Sequence, residues 1–129
     1  MVAVRDFMSR SPLTVDSATS VAEACKLMGE KHVGSILVSS KGVANAIFTE
    51  RDLLSKVLPD KKDLSKVTVG AYASSPLVTV AGGADVKEAA RIMTQMKVRR
   101  LVVVRDGQPA GIFTAADLAK AAGKSPLEI

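Results

Sequence analysis

Two short runs carry the residue types that could grip a polar ligand: Thr49-Glu50-Arg51-Asp52-Leu53 and Thr114-Ala115-Ala116-Asp117-Leu118. Each places a hydroxyl three residues ahead of a carboxylate. At that spacing Thr can serve as the N-cap of a helix and Asp as its third residue, a reciprocal cap in which each side chain satisfies a free backbone N–H. Such a cap stabilises a helix by about 1 kcal/mol, so capping alone accounts for both motifs. Covalent chemistry has little to work with. Cys25 and His32 are the only cysteine and histidine, which excludes an internal disulfide and zinc sites of the Cys-cluster type. A Cys25–His32 dyad is the one nucleophile–base pair the composition leaves. Cys25 lies beside Ala24, Leu27 and Met28, on what reads as a buried helix face, and is expected to be a packed thiol. No other nucleophile is matched with a base, so the chain is not expected to be an enzyme.

The two runs belong to a longer duplication. Sliding the sequence by 65 residues aligns it with itself without gaps and gives 16 identities in the 51 pairs from Val4 to Leu54. The longest match sets Ile47-Phe48-Thr49 against Ile112-Phe113-Thr114, followed by Asp52-Leu53 against Asp117-Leu118. A repeat of this length fixes the architecture before any other feature does.

Each copy reads as strand, helix, strand, strand, helix. The first extended piece is Leu13-Thr14-Val15, or Leu77 to Val80. Ser20-Val21-Ala22-Glu23 and Asp85-Val86-Lys87-Glu88 look like capping boxes opening a helix, and Val21, Ala24, Met28 and Val86, Ala89, Met93 recur at helical spacing. Two β-rich runs follow, Ser35 to Val38 then Ala46 to Phe48, and Leu101 to Val104 then Gly111 to Phe113. The dipeptides Lys41-Gly42 and Asp106-Gly107 supply hairpin turns. A second helix starts after Thr49 or Thr114. Residues Leu58 to Asp63 read as the linker, and the tail from Gly123 is expected to fray. The repeats are therefore set at residues 1–60 and 61–129. Each is small for independent stability, and each carries apolar helix positions, such as Leu53, Leu54 and Val57, that a partner would cover.

Composition narrows the class further. Hydrophobic residues make up 47% and charged residues 24% of 129, which suits a folded domain. No apolar run approaches the roughly 20 residues that span a bilayer, and the start lacks a signal-peptide layout, so a cytoplasmic location is expected and no membrane partner. The net charge of +5 favours anionic partners. Nucleic acid is the second choice among them, because the lysines look scattered rather than gathered on one face.

With apolar-apolar-Thr-x-x-Asp-Leu closing both copies, the sequence resembles a tandem pair of CBS domains, the regulatory domain of cystathionine β-synthase, also called a Bateman module. The Ser-Pro near each extended segment and Val98-Arg99-Arg100-Leu101 fit as well. The resemblance runs from about Val4 to Lys120. It implies an α/β fold of two pseudo-two-fold-related β-α-β-β-α repeats, packed through their sheets into one CBS-pair module. It further implies a non-catalytic sensor that binds AMP, ADP or ATP, with S-adenosylmethionine behind them, in a cleft between the repeats. Such a sensor signals to a protein effector in trans and commonly forms a homodimer. No cofactor and no metal site are implied.

Residue by residue, the resemblance gives Asp52 and Asp117 to ribose hydroxyls and Thr49 and Thr114 to a phosphate. Thr14, Val15, Thr79, Val80 and Val98 would face the adenine, and Arg51, Arg99 and Arg100 would bring charge to phosphates. Gly111 fits the family's glycine before the apolar pair, where the first copy has Ala46, and Gly34-Ser35 stands where the second has Arg99-Arg100. The physics suits these roles. A helix N-terminus attracts phosphate, a carboxylate accepts two hydroxyls at once and Arg gives bidentate phosphate contacts. One tight and one weak or empty site are expected from the inequality of the copies.

Overall fold

The computed structural model describes residues 1–124. In chain order the strands are β1 (Ser9–Arg10), β2 (Thr14–Asp16), β3 (Ser35–Ser40), β4 (Val43–Thr49), β5 (Thr79–Ala81), β6 (Arg100–Arg105) and β7 (Gln108–Thr114). The helices are α1 (Val21–Lys31), α2 (Glu50–Asp52), α3 (Val86–Met96) and α4 (Ala115–Lys124). This is the mixed α/β class with two sheets that the sequence leads one to expect. The C-terminal tail from residue 125, where fraying is expected, lies outside the described residues, while Gly123 belongs to α4.

The chain forms two compact units, Leu13–Leu77 and Met1–Pro12 together with Val78 onward. In the first, β2 runs parallel to β3 and β3 antiparallel to β4. In the second, the sheet order is β1-β7-β6-β5. Each hairpin turns through two residues of positive φ, Lys41-Gly42 and Asp106-Gly107, as its two-residue loop requires. Helices α1 and α3 bury the expected stripes, Val21, Ala24, Met28 and Val86, Ala89, Met93. Their caps differ from the reciprocal boxes the sequence suggests. Ser20 accepts from the Glu23 N–H at 3.0 Å. Asp85 accepts from Lys87 at 3.0 Å instead of Glu88, and the Glu88 carboxylate pairs with Arg91.

The second helices also diverge. After α2 the chain continues as a π-helical turn, Leu53–Val57, and a 3-10 turn, Leu58–Asp60, where α4 is regular. Pro59 cannot donate to the i−4 carbonyl and crowds it, which favours a wider coil ahead of it. The alanine-rich α4 has no such obstacle. Val57, expected as an apolar position for a partner to cover, is buried instead in the core of its own unit at 1% exposure.

The compact units cut across the repeats set at residues 1–60 and 61–129. The segment ahead of each repeat's first strand closes the core built by the other repeat. Val4 packs with Val80, Val86 and Phe113, and its counterpart Val69 with Val21, Phe48 and Val57. Backbone bonds match pairwise. The Val4 N–H donates to Ala84 O at 2.9 Å and that of Val69 to Thr19 O at 2.7 Å. The N–H of Val86 donates to Val2 O and that of Val21 to Val67 O, both at 2.9 Å. Internal similarity cannot reveal such an exchange, because either copy of a segment would fit either core.

Gly111 lies under the exchanged strand. Ser9 and Arg10 pair with Ile112 and Gly111, and a Cβ at Gly111 would come within 2.6 Å of both the Ser9 carbonyl oxygen and Met8 Sδ. Gly111→Ala should therefore push β1 off its neighbour and cost about 1–3 kcal/mol. A denaturation midpoint unchanged from wild type would contradict this.

Candidate functional site

Both Thr-x-x-Asp motifs fold as the helix starts anticipated. The Asp52 N–H donates to Thr49 Oγ1 at 3.3 Å and the Thr49 N–H to Asp52 Oδ2 at 2.9 Å. In the other unit the corresponding distances are 3.2 Å and 2.8 Å for Asp117 and Thr114. The carboxylates are the buried charged groups among the described residues, Asp52 at 6% and Asp117 at 7% exposure. One oxygen of each is fixed by the cap, so the difference between the motifs lies in the other.

Asp52 Oδ1 is already engaged. Lys56 Nζ lies 3.0 Å from it, and Ser74 Oγ donates to it at 3.3 Å. Lys56 also donates to Ser74 Oγ at 3.1 Å and to the Tyr72 carbonyl at 3.3 Å, which locks the cluster. Ser74 is held by a bridge between its backbone and that of Ile47. In the second copy the position of Lys56 falls on Ala121, a core residue. Among the described residues no hydrogen bond or ion pair reaches Asp117 Oδ1. The Asp52–Lys56 pair has the i,i+4 spacing of a helical ion pair and could have been noticed. Ser74 enters only through the exchanged segment.

The remaining candidates fall into separate groups. Arg99 and Arg100 stand beside the start of α4: the Ala115 N–H donates to Arg99 O at 3.0 Å, and Arg100 pairs with Thr114 across the ladder. Arg99 is exposed and Val98 half-buried against the core. Arg51 is exposed on α2, whose Glu50 N–H donates to Gly34 O at 3.1 Å. Thr14 and Val15 pair with Leu37 and Val38, and Thr79 and Val80 with Val102 and Val103. Val80 is core, which leaves Thr79 as the exposed member of its pair.

Cys25 is half-buried rather than fully packed. It shares a concavity of about 380 Å³ with His32, Gly34, Glu50 and Leu53. Burial pushes its thiol pKa up, the opposite of what an activated nucleophile needs. No group of three or more His, Cys, Asp or Glu residues among those described could hold a metal ion, and none of the described helices is long and apolar enough to cross a membrane.

With this geometry in view, comparison with known proteins is direct. The CBS domain model matches residues 4–59 and 69–124. The CBS domain-containing protein YhcV of Bacillus subtilis is 30% identical over 119 residues, 92% of this chain and 84% of that protein. An uncharacterised protein of Methanocaldococcus jannaschii is 34% identical over 116 residues, 88% of this chain. The match spans only 62% of that relative's length. Among solved structures, a CBS-domain protein from Burkholderia ambifaria MC40-6 superposes with a TM-score of 0.88 at 26% identity, over 96% of each chain. The duplicated strand-helix-strand-strand-helix fold thus has its counterpart in known proteins: the chain belongs to the CBS-domain family, as a tandem pair.

Proposed function

We propose that this chain is a regulatory sensor that binds an adenosine compound (AMP, ADP or ATP, ahead of S-adenosylmethionine) and signals to a protein effector in trans from the cytoplasm. The observation that carries this reading is the start of α4. A buried carboxylate, Asp117, has one oxygen that no hydrogen bond or ion pair reaches among the described residues, and it can accept both hydroxyls of a ribose. Beside it the helix start and Arg99 and Arg100 favour phosphate. Around Asp52 the same acceptor is occupied by Lys56 and Ser74, which supports one competent and one closed site.

Calorimetry with AMP, ADP, ATP and S-adenosylmethionine tests the reading. The expected result is one site per chain, with slowed amide exchange at the start of α4. If none of the four binds below about 1 mM, roughly 4 kcal/mol, the motifs are caps and nothing more.

Self-association is part of the same proposal, with its surface revised. Of the positions following Thr49, Val57 is core and Leu53 half-buried, so the exposed apolar ones in that stretch are Leu54, at 65%, and Leu58. Sedimentation should show dimers that Leu54→Glu disperses. A monomer at all concentrations would count against it.

A further inference from the structure

The unit containing residue 78 onward has a second concavity, of about 720 Å³. It lies at the hairpin end of the sheet, where β6 finishes and β7 begins, the opposite end from Arg100 and Thr114. Its lining includes Arg5, Arg10 and Arg105, no carboxylate and no aromatic side chain. The three arginines come from different elements: the 3-10 turn Val4–Asp6, β1 and the end of β6. Among the described residues Asp106 is an acidic neighbour, its carboxylate 4.0 Å from Arg105 with both side chains almost fully exposed, an arrangement that contributes little.

The duplication supplies an internal control. At the equivalent positions the other copy has Gly70, Ser75 and Ser40, and it has Asp16 in place of Ala81. The backbone frame is the same in both, with the Arg5 N–H donating to Gly82 O at 2.9 Å and that of Gly70 to Ser17 O at 3.0 Å. The fold therefore does not need arginine at any of the three positions. Space has moreover been cleared for one of them. A Cβ on Gly83 would lie 3.1 Å from Arg5 Nη1, and one on Gly82 3.4 Å from Arg5 Cβ. In the other copy the trade runs the other way: Gly70 is the small partner and Ser17 has the side chain, with a Cβ at Gly70 only 2.7 Å from that of Ser17.

We propose that this concavity is a second anion site, which takes a small molecule carrying more than one phosphoryl group. Three arginines lining one concavity raise its positive potential, which an anion bound among them lowers, and each guanidinium offers a planar fork of donors matched to phosphate. The volume suits a small ligand, within the roughly 300–1,000 Å³ of ordinary binding pockets. With no aromatic surface to stack a base, recognition rests on the phosphoryl groups. The site is independent of the adenosine reading, since Thr114 and Asp117 take no part in it.

The test is calorimetric titration of the full chain with inorganic tripolyphosphate and with inorganic phosphate at low ionic strength. Tripolyphosphate should bind the more tightly, and the triple variant Arg5→Ala/Arg10→Ala/Arg105→Ala should weaken it about tenfold or more. Lys26→Ala/Lys62→Ala/Lys66→Ala, which removes the same charge elsewhere, and Asp117→Ala should each leave it within about twofold, because neither touches the pocket. Arg105→Ala alone, at an exposed strand end, cannot unfold the chain and should cost about threefold. Equal losses in the two triple variants would mean attraction by net charge only. A loss confined to Arg99→Ala/Arg100→Ala would place the anion at the start of α4, and equal affinity for the two probes would mean a single-phosphate site. Duplex DNA binding more tightly than tripolyphosphate, and lost in the arginine variant, would identify a nucleic-acid surface. Each of these four results overturns the proposal.

Discussion

Asp117→Ala is expected to weaken binding of the adenosine ligand about a hundredfold, because two hydroxyls lose a charged acceptor worth about 1.5–3 kcal/mol per hydrogen bond. Asp52→Ala should change the measured affinity less than about threefold, since its free oxygen is already committed to Lys56 and Ser74. Both variants lose a helix cap, about 1 kcal/mol, so both should melt lower and the affinities must be compared where the protein is folded. Lys56→Ala makes the converse case. It releases Asp52 Oδ1, and a second, weaker binding event should appear in the isotherm. Equal losses in the two aspartate variants would sink the assignment of one open and one closed carboxylate. A Lys56→Ala isotherm identical to wild type would show that something other than the ion pair closes the first motif.

Deleting residues 1–12 should unfold the second repeat while leaving the first intact. The deletion takes away fully buried Val4, the partly buried Val2, Phe7 and Met8 that pack on the same core, and the edge strand paired with Ile112 and Gly111. Burial of one aliphatic side chain stabilises by about 1.5–3 kcal/mol, so the combined loss is on the order of 5 kcal/mol, comparable with the whole stability of a small domain. The measurement is hydrogen exchange by segment: α3 and β6 should lose protection, and α1 and β3 should keep it. Loss of protection in α1 instead would mean that the exchange between repeats is not as described.

Much of this was legible in the residues, and the limits have physical causes. Helices α1 and α3, the hairpins and the two capped motifs are local, written in spacing and turn residues, and the structure has them where the periodicity sets them. The π-helical turn is visible in hindsight from Pro59, but the balance between a wider coil and a terminated helix depends on what Val57 packs against. Unequal ligand sites were expected from Gly111 and Arg99-Arg100; the structure adds a difference between the carboxylates themselves, since Asp52 is engaged by Lys56 and by Ser74, 22 residues away. Gly111, which fits the family's glycine, also lets Met8 and Ser9 approach β7, an approach made by the exchanged segment and not written in the local pattern. The arginine pocket is assembled from residues 5, 10 and 105, a distance in sequence that no local pattern spans.

The reciprocal exchange of segments also carries a statement about ancestry. In this chain the leading segment of each copy lies in the core of the other. The same exchange made between two separate chains is a swapped homodimer of the kind that exchange of identical elements produces. Fusing the two copies replaced association between chains by a tethered encounter at an effective concentration on the order of millimolar. It also ended an obligation to be identical. In a homodimer any change appears twice; in the fused chain Lys56 could arise opposite Ala121, and Arg5 opposite Gly70. The two motifs were thereby free to take up different tasks.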